Sequence, residues 1–267
     1  MPAESTKAKR LRAEEACRRL EELYPEAVCA LHFTDPFSLV VAVLLSAQTT
    51  DVAVNKVTPV LFGRWPTPAD LAGAPISEVE AVLRPLGFYR TKAQHVVDAA
   101  RMVVSEFGGQ VPRTMEELTR LPGVGRKTAN IVLNDAFDVV EGIAVDTHVF
   151  RIMTRLGLTD APTPLAAEQD ILKVIPRRYW KRANHTFVLF GRQVCDARKP
   201  ACVPGGKCEL VAPDGSRPEG CPLADICPSV GRTGNPTAKA KASHPKGGSE
   251  TPGTKATART AKKERRG

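Results

Sequence analysis

The feature that most constrains the fold is a signal repeated along the chain, a capping side chain followed at once by proline. Asp35-Pro36 precedes "FSLVVAVLL", Thr67-Pro68 precedes "ADLAG", and Thr163-Pro164 precedes "LAAEQDILKVI". Each pair offers a side-chain acceptor to an orphan N–H of a first helical turn, then a residue whose φ is already helical. Three helices are expected to begin there. Ser77 with Glu80 and Thr114 with Glu117 have the spacing of a reciprocal capping box and predict two more. Residues 92–107 place Val96, Val97, Ala100, Val103, Val104 and Phe107 on one stripe before Gly108-Gly109, and residues 7–24 place Leu11, Leu20 and Leu23 on another before Pro25. No sustained period-two alternation occurs, so the pattern predicts about ten helices and an all-α fold.

The 267 residues suffice for one large or two medium domains, and 42% hydrophobic residues is ordinary for a packed core. The longest apolar run, Phe37 to Ala47, is interrupted by two serines and is too short to span a bilayer. The first 25 residues lack an apolar signal core and carry several glutamates, which predicts a cytoplasmic protein. The net charge of +9 is uneven: residues 231–267 hold ten Lys and Arg against two Glu. With no apolar residue larger than alanine, this tail reads as disordered. It is expected either to draw nucleic acid to the protein in a salt-dependent way or simply to solubilise it.

The stretch "TRLPGVGRKTANIVL" breaks a local rule. A helix from about Thr114 to Arg120 and another from about Arg126 to Phe137 are joined by "LPGVG", and two cations stand at the second helix's positive end. Gly123 and Gly125 leave backbone N–H groups uncovered, so with Arg126 they form a nest for a phosphodiester, a helix-hairpin-helix pattern that reads phosphate rather than sequence. Lys127 is then a phosphate contact or, if the helix end and Arg126 favour its neutral amine, a nucleophile able to form a Schiff base at a sugar C1′. Asp146, in "GIAVDTHVFRIM", reads first as a helix N-cap. Emerging from an apolar "IAV" segment, it is also placed to steady a cationic sugar transition state. His148 and His185 read as structural.

Five of the seven cysteines lie between 195 and 227. Cys195 and Cys202 have six residues between them and Cys221 and Cys227 five, which is too wide for common zinc pairs and suits an iron–sulfur cluster. Arg198 and Lys199 project from the intervening "DARKPA" as a second phosphate clamp.

Taken together, "LLSAQTTD", "LPGVGRKTAN", "IAVDTHVFR" and "GRQVCDARKPAC" resemble the endonuclease III family of base-excision DNA glycosylases over roughly residues 10–230. The resemblance implies an all-α, two-domain helix-hairpin-helix glycosylase fold closed by a C-terminal [4Fe-4S] loop. Residues 1–28 would pack with the cluster domain at 139–230, residues 29–138 would form a helical barrel containing the hairpin at about 114–137, and 231–267 would be the basic tail. It further implies Lys127 as the Schiff-base nucleophile and Asp146 as the catalytic carboxylate. The substrate would be double-stranded DNA carrying oxidised pyrimidines or abasic sites, acted on by a monomer close to the nucleoid. The base is flipped out and the strand is cut 3′ to the abasic site by β-elimination.

Gln48 matches the residue that fills the vacated space, and Phe88 sits where the family inserts an apolar wedge, unless it is simply core packing. Cys195, Cys202, Cys221 and Cys227 match the cluster ligands. The chain departs from the family in placing eighteen residues between Cys202 and Cys221, a Gly/Pro-rich insert expected to bulge out as a loop. It carries Cys208, which is a free thiol or a substitute ligand. Two rivals remain: a monofunctional glycosylase of the same fold, which would do without Lys127, and a non-catalytic damage binder, which would form no imine.

Overall fold

The computed structural model describes residues 4–232, and within them the chain forms eleven α-helices, one short 3-10 helix at Arg177–Tyr179 and no strand. The all-α expectation holds. The basic tail lies, from residue 233 onward, outside the described residues.

The predicted helix starts are found at all three proline sites. α1 (Thr6–Leu23) is followed by α2 (Pro36–Leu45), where Asp35 and Ser38 form a complete capping box. α3 (Asp51–Arg64) leads to α4 (Pro68–Ala72), boxed by Thr67 and Asp70. α5 differs from expectation: it spans Ile76–Leu83 with Pro75 at the N-cap and no side-chain cap. Ser77 therefore lies inside the first turn, where it cannot cap, and Glu80 points instead to Arg90 at 3.9 Å. α6 (Tyr89–Phe107) ends at Gly108 in the left-handed conformation.

α7 is shorter than expected, Met115–Leu118: Thr119 is its C-cap, and beyond it the backbone tightens, with Arg120 N–H donating to the Glu117 carbonyl and Leu121 N–H to the Leu118 carbonyl at 3.1 Å each. Thr114 caps Glu117 N–H at 3.2 Å, but the Glu117 carboxylate accepts from the Thr114 hydroxyl, so only half of that box forms. α8 (Arg126–Phe137) has the predicted bounds. α9 (Thr147–Arg155), α10 (Pro164–Val174, capped by Thr163) and α11 (Trp180–Gln193) complete the set.

Two hydrophobic cores organise these helices. The first runs from Leu31 to Leu133 and is centred on α2, whose residues Phe37 through Leu45 are all buried and which packs against α8, α3 and α6. Each such aliphatic side chain contributes about 1.5–3 kcal/mol on burial, so this apolar run is a core helix rather than a membrane segment. Among the described residues no helix is long and apolar enough to cross a membrane. The second core combines Ala13, Ala16, Cys17 and Leu20 of α1 with α9, α10, α11 and the cysteine-rich loop. The amino-terminal helix is tied there by Arg12 to the Leu156 carbonyl at 2.9 Å and by Arg19 to Asp225 at 2.6 Å.

Candidate active site and DNA interface

α8 begins at the junction of the two cores, and its start is set by the hairpin. Gly123 has φ +78°, and a Cβ there would lie 2.8 Å from His95 Nδ1, so both backbone and space demand glycine. Val124, buried beside it, anchors the turn by donating its N–H to the Leu121 carbonyl at 3.0 Å. Gly125 is different. Its φ of −96° suits any residue, and nothing in the protein comes within 4 Å of where a Cβ would be. The folded chain does not require glycine at that point; a ligand approaching the uncapped N–H groups of α8 from outside would.

Lys127 follows on the first turn of α8. It lines a cleft together with Asp146, Ser46, Asp51, Cys29, Asn184, His185 and Arg192. Lys127 comes from the first core and Asp146 from the second, so the cleft lies between them. Asp146 is the N-cap of α9: its Oδ1 accepts from the His148 and Val149 N–H groups at 2.8 Å each. Its Oδ2 has no hydrogen-bond partner among the described residues. Capping and facing the cleft are thus compatible roles for one carboxylate. Asn184 fixes the preceding segment by donating to the Ala144 carbonyl at 2.7 Å.

Arg126 is placed differently from its neighbour. Its Nε donates to Glu168 Oε2 at 2.8 Å, and Glu168 Oε1 accepts from Asn130 Nδ2 at 2.9 Å. Arg126 is therefore half-buried, joining α8 to α10 through Nε, and its charge beside Lys127 is balanced by a buried carboxylate. The sequence reading missed Glu168, because a lone glutamate on an amphipathic helix gives no local sign of burial. It also missed most of α11, which supplies Asn184, His185, Val188, Leu189 and Arg192 to the cleft wall. His185 bonds Asp135 at 2.9 Å and Arg192 bonds Asp51 at 2.8 Å, each across the two cores. His148 takes up Arg151 Nη2 at 3.1 Å, and burial holds its imidazole below the ordinary histidine value.

Gln48 and Phe88 stand at separate turns, α2–α3 and α5–α6. Both adopt left-handed backbone, φ 53° and 58°, and both are exposed. Phe88 is 67% exposed, which removes the core-packing alternative. Arg198 and Lys199 are also exposed, on a turn whose backbone N–H groups both donate to Asp196 Oδ1 at 2.8 Å.

Cys195, Cys202, Cys221 and Cys227 line one cavity with Arg155, Phe190 and Leu223, and Cys208 does not line it. Arg155 Nη1 lies 3.1 Å from Cys195 Sγ. Burial, reinforced by the other three sulfurs, pushes the Cys221 thiol up to about 12. Burial raises the Cys227 thiol as well. Four cysteines lining one cavity are the donor type that an iron–sulfur cluster takes, although among the described residues they are not drawn together to metal-holding distance. The insert between Cys202 and Cys221 does not simply bulge out. Leu210, 1% exposed, is buried in the second core and Glu209 N–H donates to the Gln193 carbonyl at 2.8 Å, so the middle of the insert is pinned while the residues on either side of Leu210 stay largely in solvent.

A hairpin of this construction at the mouth of a cleft between two helical cores defines a helix-hairpin-helix DNA-repair protein. The HhH-GPD superfamily model, described as a base excision DNA repair protein, matches residues 41–177. Endonuclease III of Synechocystis sp. is 46% identical over 223 residues, 84% of this chain and 94% of the relative. Two solved structures, a non-covalent endonuclease III–DNA complex and a trapped endonuclease III–DNA covalent intermediate, each superimpose with a TM-score of 0.72 at 36% identity, covering 90% of this chain and 100% of theirs. The chain belongs to the endonuclease III family.

Proposed function

We propose that Lys127 and Asp146 carry the chemistry of this base-excision DNA glycosylase and abasic-site lyase, and that its substrates are oxidised pyrimidines in duplex DNA. The observation that carries the assignment is their meeting in one cleft at the edge of the phosphate-binding hairpin. The Lys127 amine attacks C1′ as the bond to the damaged base breaks, and the base leaves with the bond's electrons and a proton. The sugar ring then opens: the C1′–O4′ bond breaks, O4′ takes a proton and the nitrogen lone pair forms the C1′=N bond. This imine acidifies C2′, and loss of that proton expels the 3′ phosphate, which is β-elimination. Asp146, anchored through Oδ1, offers Oδ2 to the cationic sugar and to proton transfer. Gly123, Gly125 and the uncapped start of α8 take one phosphate, while Arg198 and Lys199 take another. Gln48 and Phe88 enter the stack that the flipped base leaves.

A [4Fe-4S] cluster held by Cys195, Cys202, Cys221 and Cys227 would cross-link the loop that presents Arg198 and Lys199, with Cys208 remaining a thiol outside the ligand set. The protein would act as a monomer.

The test is borohydride trapping on a duplex with a single thymine glycol, comparing wild type with Lys127→Ala. A covalent adduct in the wild type alone supports the assignment. Base release without an adduct would make the protein monofunctional, and an adduct that survives Lys127→Ala would move the nucleophile elsewhere.

A further inference from the structure

Gln48 and Phe88 are two of the three non-glycine residues with positive φ among the described residues. Neither side chain is a type that tolerates this conformation easily, so each turn carries strain that its surroundings must hold. One residue stands behind both turns. Lys92, on the first turns of α6, donates its backbone N–H to the Phe88 carbonyl at 3.0 Å. Its Nζ donates to Thr49 Oγ1 at 2.5 Å, on the residue next to Gln48.

Lys92 is only 4% exposed. Among the described residues Thr49 is the hydrogen-bond partner of its ammonium, and no carboxylate lies within ion-pair distance. Burial lowers the pKa of the amine. A desolvated cation with no counter-ion, near the positive end of a helix, is an unfavourable choice for stability alone, and an aliphatic side chain would suit the same space better. Without a competing acid, the Thr49 hydroxyl is the acceptor that keeps the ammonium in place.

We propose that Lys92 is a positioning residue that locks the Gln48 turn to the Phe88 turn, so that the two side chains enter the duplex as one preset unit. This rests on the reading of Gln48 and Phe88 as intruding side chains. The gain is preorganisation: two turns on different helix junctions, tied through a single side chain, need no mutual search when the stack opens.

The experiment uses the full chain and a duplex in which a fluorescent adenine analogue faces thymine glycol, so that stack opening is read in stopped flow. Lys92→Met and Thr49→Val are each expected to slow opening about tenfold, the worth of one buried charge-assisted hydrogen bond. The double variant should be no slower than the slower single one, because one bond is lost in all three. Lys92→Met should unfold at or above the wild-type temperature. The ratio of duplex to single-stranded abasic-site cleavage should fall by the same factor, since a single strand has no stack to enter.

Wild-type opening in Lys92→Met, or multiplying effects in the double variant, would overturn the proposal. So would equal losses on duplex and single strand accompanied by a lower unfolding temperature, the mark of a purely structural residue. Should Lys92→Met not fold, Thr49→Val decides alone. Gln48→Ala and Phe88→Ala serve as controls: if neither alters the opening signal, the reading of intruding side chains fails, and the proposal fails with it whatever Lys92→Met does.

Discussion

Replacing Glu168 by alanine should release α8 from α10 and, through α8, the mooring of Lys127. Glu168 is 3% exposed and Asn130 is 4% exposed, and they are joined at 2.9 Å. Stranding the Asn130 amide costs about 1–3 kcal/mol. The Arg126 side chain keeps 34% of its surface in solvent, so loss of its ion pair adds only about 1 kcal/mol. Together these predict a loss of about 2–4 kcal/mol.

Gly142 provides an independent handle on the same carboxylate. A Cβ at Gly142 would sit 2.3 Å from Glu168 Oε1 and 3.0 Å from Asn130 Oδ1, while its φ lies outside the left-handed region. Gly142→Ala must therefore displace the acid, at a cost of about 1–3 kcal/mol. Once Glu168 is alanine, the nearer obstacle is gone and the second substitution should add little. The four proteins are compared by urea unfolding followed by circular dichroism, with a favourable coupling of about 1–2 kcal/mol expected. Additivity within about 0.5 kcal/mol would refute the latch, because two independent defects would then have been made.

The two hairpin glycines should respond differently to alanine. Gly123→Ala meets both a left-handed φ of +78° and His95 Nδ1 at 2.8 Å, so it should lower stability by about 1–3 kcal/mol as well as DNA affinity. Gly125→Ala has open space and should leave the unfolding temperature near wild type while weakening DNA binding in fluorescence anisotropy; unchanged affinity would mean that no phosphate comes close there. His148 predicts a pH dependence. Its folded pKa is depressed below the ordinary histidine value chiefly by burial, so the unfolded chain binds the proton more readily, and stability present above the ordinary value is lost as the pH falls through the folded pKa. Unfolding titrations at pH 5.5 and 7.5 should show wild type losing more stability on acidification than His148→Gln, and equal losses would contradict the assignment.

Much of this architecture is written locally. Asp35-Pro36, Thr67-Pro68 and Thr163-Pro164 start helices where their side chains dictate, and Arg126–Phe137 could be bounded from its hairpin, because a cap and a glycine act within one turn of chain. Ser77 misled for the opposite reason: the capping spacing is present, but the helix begins two residues before a Ser77 cap would start it, at Ile76, and leaves Ser77 inside its first turn. Arg126 reads in sequence as a companion to Lys127 for phosphate, and its bond to Glu168 could not be read there because it depends on the approach of α10.

The sequence by itself determined the all-α class, the hairpin and the residue types able to do lyase chemistry, since each depends on periodicity or on neighbours a few residues apart. Tertiary structure alone decided that Arg126 pairs with Glu168, that Cys208 stands outside the four-cysteine cavity, and that the Lys92 ammonium bonds Thr49. Those outcomes depend on burial and on partners as far apart as Arg126 and Glu168 or Thr49 and Lys92, and desolvation becomes a force on a side chain only after the cores have closed around it.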